Sequence, residues 1–123
     1  MPDPRHLLGL RAEEATAAWL ASCGWAIVAR RWRCPEGEID LVAIDPEGVL
    51  VAVEVKLRST GRSGEPLESV DRRRVRRLRA ALGRFGRLAR CPPHQGLRID
   101  LVAVRPADGE LWHVARHPGI EAW

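Results

Sequence analysis

Hydrophobic and polar positions change rhythm several times along the chain, and each change marks an element. Between Pro4 and Cys23, the residues Leu8, Ala12, Ala15 and Trp19 recur at helical spacing, with Asp3 placed to cap the first turn and Gly24 just beyond the last. A helix is expected there. WAIVARRWR, residues 25–33, mixes β-branched and aromatic side chains and reads as a strand leading into the turn CPEG. Two more strands, 38–45 and 49–57, flank DPEG, whereas STGRSGEP, 59–66, has no periodicity and reads as a flexible loop. A second helix is expected from Ser69 to Ala89, because Val75, Leu78, Leu82, Phe85 and Leu88 share one stripe and arginines cover the rest. Beyond CPPHQG, strands are expected over 97–104 and 110–116, and 117–123 is left as a C-terminal tail. Helix, three strands, helix, two strands is the order of an α/β or α+β sheet with helices packed on it.

Composition narrows the class of protein. A chain of 123 residues suffices for one core, so 1–123 is expected to form a single domain. No apolar run approaches the ~20 residues that span a bilayer. MPDPRHLLGLRAEE turns acidic where an export signal would turn apolar, which makes the cytoplasm the expected compartment. Cys23, Cys34 and Cys91 fit neither a disulfide framework nor a Cys-x-x-Cys zinc site. His113 and His117 are four apart, but LWHVA is strand-like and offers no helical metal pair.

Charge is unevenly spread. The net charge is +4, yet residues 71–90, DRRRVRRLRAALGRFGRLAR, hold nine arginines against one aspartate. Arg72, Arg73, Arg74, Arg76 and Arg77, with Arg58 and Arg62 before them, are therefore expected to meet a polyanion.

The strand pair at GEIDLVAIDPEGVLVAVEVKLR carries three charges that interrupt an apolar pattern. Val49, Val51, Val53, Val55 and Leu57 share one face, and Leu50, Ala52, Glu54, Lys56 and Arg58 the other. In the preceding strand Ile39, Leu41 and Ala43 are expected on one face and Glu38, Asp40, Val42 and Ile44 on the other. With Pro46, Glu47 and Gly48 as the hairpin loop, Leu41 pairs with Val53 and Asp40 falls opposite Glu54. Two like charges at ~5 Å are destabilising unless a cation lies between them. Mg²⁺ or Mn²⁺, hard ions that bind carboxylate oxygens, suits that place. Lys56, the single lysine beside nineteen arginines, stands on the same face. A lysine can orient or activate a water as a guanidinium cannot. The plainer reading is a solvated ladder of ion pairs, each contributing under ~1 kcal/mol. Against it, Val42, Ile44, Leu50 and Ala52 continue the same face as apolar residues.

Gly37-Glu38-Ile39-Asp40 followed by Val53-Glu54-Val55-Lys56 resembles the PD-(D/E)XK nuclease superfamily. More closely, Gly9, Glu13, Leu20, Gly24, Arg58 and Arg98-Ile99-Asp100 resemble the bacterial YraN-like family, itself similar to archaeal Holliday-junction resolvases. The resemblance implies a restriction-endonuclease-like core, a mixed five-stranded sheet flanked by helices. It implies Glu13, Asp40 and Glu54 as metal ligands, the carbonyl of Val55 as a further ligand, and Lys56 as the catalytic lysine. Residue pattern alone does not separate Glu13 from Glu14. Ala12, Ala52 and Arg74 depart from the family's usual glycine, aromatic and lysine. The implied activity is divalent-metal-dependent hydrolysis of DNA, branched or otherwise structured, and symmetric resolvases imply a homodimer. Two other functions fit the same features: a non-catalytic nucleic-acid-binding module, and a protein-interaction subunit docking through ELWHVARHPGIEAW.

Overall fold

The computed structural model describes residues 3–58 and 71–122. The expected loop 59–66, with Arg62, and the expected helix start at Ser69 lie outside the described residues. Helix α1 spans Pro4–Ser22 and α2 spans Arg72–Gly86, while the strands are β1 (Ala26–Cys34), β2 (Gly37–Ile44), β3 (Leu50–Leu57), β4 (Leu97–Pro106) and β5 (Trp112–His117). They form one five-stranded sheet in chain order. The pairs β1–β2, β2–β3 and β4–β5 are antiparallel, and β3–β4 is parallel, so the expected mixed sheet is present. Helix α2 lies between the parallel strands β3 and β4 in the chain, as such a pair requires of its connection.

Each helix covers one face. Leu78, Ala81, Leu82 and Phe85 of α2 bury against Val42, Leu50, Ala52, Ile99 and Leu101. Ala12, Ala17 and Leu20 of α1 bury against Leu41, Ala43, Val51, Val53, Val102 and Val104. The α2 stripe is the one expected. The α1 stripe is not: Ala12, Thr16, Ala17 and Leu20 are buried, whereas Leu8, Ala15 and Trp19 are only half-buried. Alanines let the helix approach the sheet closely, and Thr16 is tolerated inside because its hydroxyl donates to the Ala12 carbonyl at 2.8 Å.

The hairpin register matches the hydrophobic match: Leu41 pairs with Val53, and Val42, Ala43 and Ile44 follow in step. Asp45 closes the turn by accepting the N–H groups of Glu47 (2.9 Å) and Val49 (3.0 Å), and Gly48 supplies the positive φ of 88°. One expectation fails here. Ile39 packs under α2 with Val42, not under α1 with Leu41 and Ala43. In the neighbouring strand Arg31, between the pairs Arg30–Leu41 and Trp32–Ile39, holds φ at 46°, a left-handed conformation uncommon outside glycine.

The C-terminal segment is also more than a tail. A 3₁₀ turn at Ile120–Ala122 buries Ile120 against the α2-side core, and Glu121 accepts the Ile99 N–H at 3.2 Å and Arg79 Nη1 at 2.8 Å. No described helix is long and apolar enough to cross a membrane.

Candidate active site

Asp40 and Glu54 meet where the β2–β3 ladder stops. The last paired residues are Leu41 and Val53. Two residues beyond Val53, the Val55 N–H donates to Asp40 Oδ2 at 2.8 Å. The side chain thus completes the sheet's hydrogen bonding and is held inside by it. Glu54, from the next position on β3, is 3% exposed at its side chain. The two carboxyls lie close enough for each to shift the other's titration, so they adjoin just beyond the last pair of the ladder.

Their electrostatics differ sharply. Burial, hydrogen bonding of the protonated Asp40 carboxyl to Glu54, and the Glu54 charge push Asp40 up to about 8, against the opposing Val55 N–H. Burial also pushes Glu54 upward, but the Arg74 guanidinium and the Asp40 hydrogen bond more than offset it and hold Glu54 below the usual carboxylate range. Without a metal, Glu54 is the ionised partner and Asp40 carries the proton.

Arg74 is the cation of this pair. Its Nε donates to Glu54 Oε2 at 2.8 Å, and its Nη2 donates to Glu54 Oε1 at 3.1 Å and to the Glu38 carbonyl at 3.3 Å. Sequence pattern grouped Arg74 with its neighbours as an outward phosphate contact; in the fold Arg72, Arg73, Arg76 and Arg77 are exposed and Arg74 turns inward. Helical phase gives a hint of this after the fact, because Arg74 immediately precedes Val75, the first residue of the buried stripe.

Lys56 follows Glu54 by two residues, on the same face, and its charge helps keep Glu54 ionised. It makes no ion pair among the described residues. Glu13 approaches the same mouth from α1: burial raises its pKa, Arg31 at 4.0 Å lowers it, and the charges of Glu38 and Glu54 raise it. Glu14 instead points to solvent, where it pairs with Arg30 at 3.3 Å. The choice that sequence pattern left open is therefore made by α1, which turns Glu13 toward the carboxylates. Even so, among the described residues no three Asp, Glu, His or Cys side chains converge closely enough to hold one ion. Asp40 and Glu54 adjoin; Glu13 stands behind them.

Arg58 ends the same face. Its backbone N–H donates to the Val104 carbonyl at 2.7 Å, and its buried Nε has no hydrogen-bond partner among the described residues. The His113 and His117 pair lies on β5, as the strand-like pattern indicated.

A second polar cluster was not foreseen. On the α1 side of the sheet Asp100, fully buried, accepts Arg98 Nε (2.8 Å) and Nη2 (3.0 Å), Arg116 Nη1 (2.9 Å) and the Gly119 N–H (3.0 Å). Arg98 also reaches Asp45 at 2.8 Å, and both guanidinia lie over the Trp25 ring. Every charge in it is matched, so the cluster ties β4, β5 and the hairpin turn together.

Residues 12–104 match the model of a family described as "Uncharacterised protein family UPF0102". The chain belongs to that family. It is 46% identical over 101 residues to a UPF0102 protein of Beutenbergia cavernae, covering 81% of this chain and 83% of that one. To the UPF0102 protein of Clavibacter michiganensis it is 42% identical over 115 residues, 93% and 90% of the two chains. A UPF0102 protein of Anaeromyxobacter dehalogenans is 44% identical over 108 residues, 88% and 79%. The YraN-like resemblance is thus borne out at the level of the family. The family's description adds no activity, and the chemistry rests on the side chains.

Proposed function

We propose that this UPF0102 protein is a divalent-metal-dependent endonuclease acting on DNA, with Asp40 and Glu54 as the residues that hold the ion. The observation that carries the reading is the adjoining, largely buried carboxyl pair with the molecule's one lysine beside it. Such a pair needs a positive partner, which Arg74 supplies in the free protein and a divalent ion would supply when bound. The donor set suits a hard ion: Mg²⁺ and Mn²⁺ take one or two carboxylates and complete their shell with water and phosphate, so the pair suffices without Glu13 as a direct ligand.

A bound divalent ion would polarise a phosphoryl oxygen and lower the pKa of a water. The protein's own groups do the rest. Lys56 places an ammonium where it can orient the attacking water and stabilise charge that develops on the phosphate. Glu13, with its raised pKa, sits behind the pair and can exchange a proton with a water at the mouth. Arg72, Arg73, Arg76 and Arg77 present exposed guanidinia without an ion-pair partner among the described residues, on the first turns of α2 next to Arg74. The helix end itself is capped by the Asp71 carboxylate, so it is these exposed guanidinia that are set to receive phosphate oxygens. Phosphate contacts of this kind position DNA without reading its sequence.

Cleavage of branched, flapped, single-stranded and duplex DNA with Mn²⁺ tests the reading. Wild type is expected to cut at least one of these, Lys56→Ala to be slower by about 10²–10⁴-fold, and Asp40→Ala to be inactive. A wild type that binds all of them and cuts none overturns it.

One observation favours a second reading. Arg74 occupies both oxygens of Glu54, which would suit a nucleic-acid-binding module whose acidic pair is purely structural. That module would bind DNA tightly and take up no divalent ion.

A further inference from the structure

The cleavage reading leaves Arg74 without a role, although it is the group most closely placed on the carboxylates. Its guanidinium spans both oxygens of Glu54, at 2.8 and 3.1 Å, and so covers the donors that an ion would use. The two partners differ in access: the Glu54 side chain is 3% exposed and that of Arg74 is 32% exposed. The arginine can therefore leave toward solvent while the glutamate cannot. Its pivot is fixed, because the Arg74 N–H is tied to the N-cap carboxylate of Asp71 at 2.7 Å. Only the side chain has to swing.

What it would swing to is set by its neighbours. Arg72, Arg73, Arg76 and Arg77 are exposed around it. A nucleic acid held by those side chains brings phosphate oxygens within reach of the same helix turn. Phosphate takes a guanidinium through two parallel hydrogen bonds as carboxylate does, so the exchange replaces like with like. A divalent ion entering between Asp40 and Glu54 then supplies the charge that the guanidinium withdrew.

We propose that Arg74 is an exchangeable latch, closing the Asp40–Glu54 pair to divalent ions in the free protein and releasing it when a backbone phosphate takes the guanidinium. The proposal rests on the reading of Asp40 and Glu54 as the ion's ligands, and it adds a regulation to that site. By linkage, DNA and metal bind with positive coupling, each tightening the other through Arg74. A free protein carrying little metal is thereby kept from cutting until it is seated on a substrate.

Calorimetric titration of the full chain with Mn²⁺, for wild type, Arg74→Met and Arg74→Lys, tests the latch without any cleavage readout. Arg74→Met is expected to bind Mn²⁺ about tenfold tighter than wild type, a typical coupling magnitude. Arg74→Lys keeps the charge but cannot span both oxygens, and its affinity should fall between the two. A short DNA duplex, with the Mn²⁺ bound by DNA alone subtracted, should tighten Mn²⁺ binding to wild type by a comparable factor and leave Arg74→Met unchanged. Circular dichroism monitors folding, and if the Met variant unfolds, the Lys variant decides the question. Wild type and both variants binding Mn²⁺ equally would overturn the latch and leave the metal site standing. No Mn²⁺ binding by any of the three would overturn the metal site and the latch with it.

Discussion

Asp40 is asked to be two things, a hydrogen-bond acceptor for the sheet and half of a carboxylate pair, and its protonation reconciles them when no metal is present. Its pKa in the fold, raised to about 8 from an ordinary 3.8, means that the native state holds a proton the unfolded chain gives up. Between those values unfolding releases that proton, so the Asp40 contribution to stability is present at low pH and is lost as pH rises. The slope cannot exceed about 1.4 kcal/mol per pH unit. Urea denaturation in EDTA at pH 5 and pH 8 should show wild type losing stability relative to Asp40→Asn, which has no such proton; parallel behaviour would contradict the assignment. The groups that set this titration are Glu54, Glu13 and the Val55 N–H. Asp100 makes a second case at the same scale. It is 0% exposed with two arginines and a backbone N–H upon it, and Asp100→Ala should cost roughly 3–5 kcal/mol in a thermal or chemical melt. A loss below about 1 kcal/mol would show the cluster to be screened by water. The adjacency of Asp40 and Glu54 was legible because period-two alternation and a short turn fix register. Arg74 and Asp100 were not legible in the same way: nine arginines on one segment look alike, and two of the partners of Asp100, Arg116 and Gly119, lie 16 and 19 residues further along the chain.

Helix α2 works with both of its sides. One buries Leu78, Ala81, Leu82 and Phe85 under the sheet, and the other carries arginines of two kinds. Arg79 and Arg84 are held by Glu121 and Glu36 at 2.8 and 2.6 Å, whereas Arg76 and Arg77 have no ion-pair partner among the described residues. The difference predicts a contrast in DNA binding. Arg76→Ala should weaken binding to all sequences alike and reduce the slope of log K against log salt by about 1. Arg79→Ala should leave that slope unchanged. Equal effects in a fluorescence-anisotropy titration would mean that the phosphates do not lie along the first turns. The stripe of α2 could be read in advance because large apolar residues mark it. Helix α1 was placed correctly in the chain but turned wrongly, since its buried face is made of alanine and threonine, which carry little periodic signal. The left-handed backbone at Arg31 had no signal at all: a positive φ at an arginine within a strand is set by tertiary context.

At the scale of the molecule, the sheet explains why the site lies where it does. Antiparallel pairing brings Asp40 to Glu54, the parallel β3–β4 pair needs a crossing helix, and that helix starts beside the acidic pair with a cluster of positive charge. Strand periodicity predicted the strands and their order in the chain; it could not tell parallel from antiparallel, and only the family resemblance supplied the mixed sheet. The C-terminal segment looked like a tail because Pro118 and Gly119 interrupt it, yet Ile120 and Glu121 fasten it to β4 and α2. Membership of UPF0102 accounts for the shared pattern over residues 12–104 and leaves the chemistry to be measured. The account as a whole turns on whether one ion binds between the two carboxylates. Titration of the wild-type chain with Mn²⁺ beside Asp40→Ala, at neutral pH and in the presence of a short duplex, addresses this most directly. One ion per chain in the wild type and none in the variant is the predicted result; an undiminished ion in Asp40→Ala, or none in either protein, would contradict it.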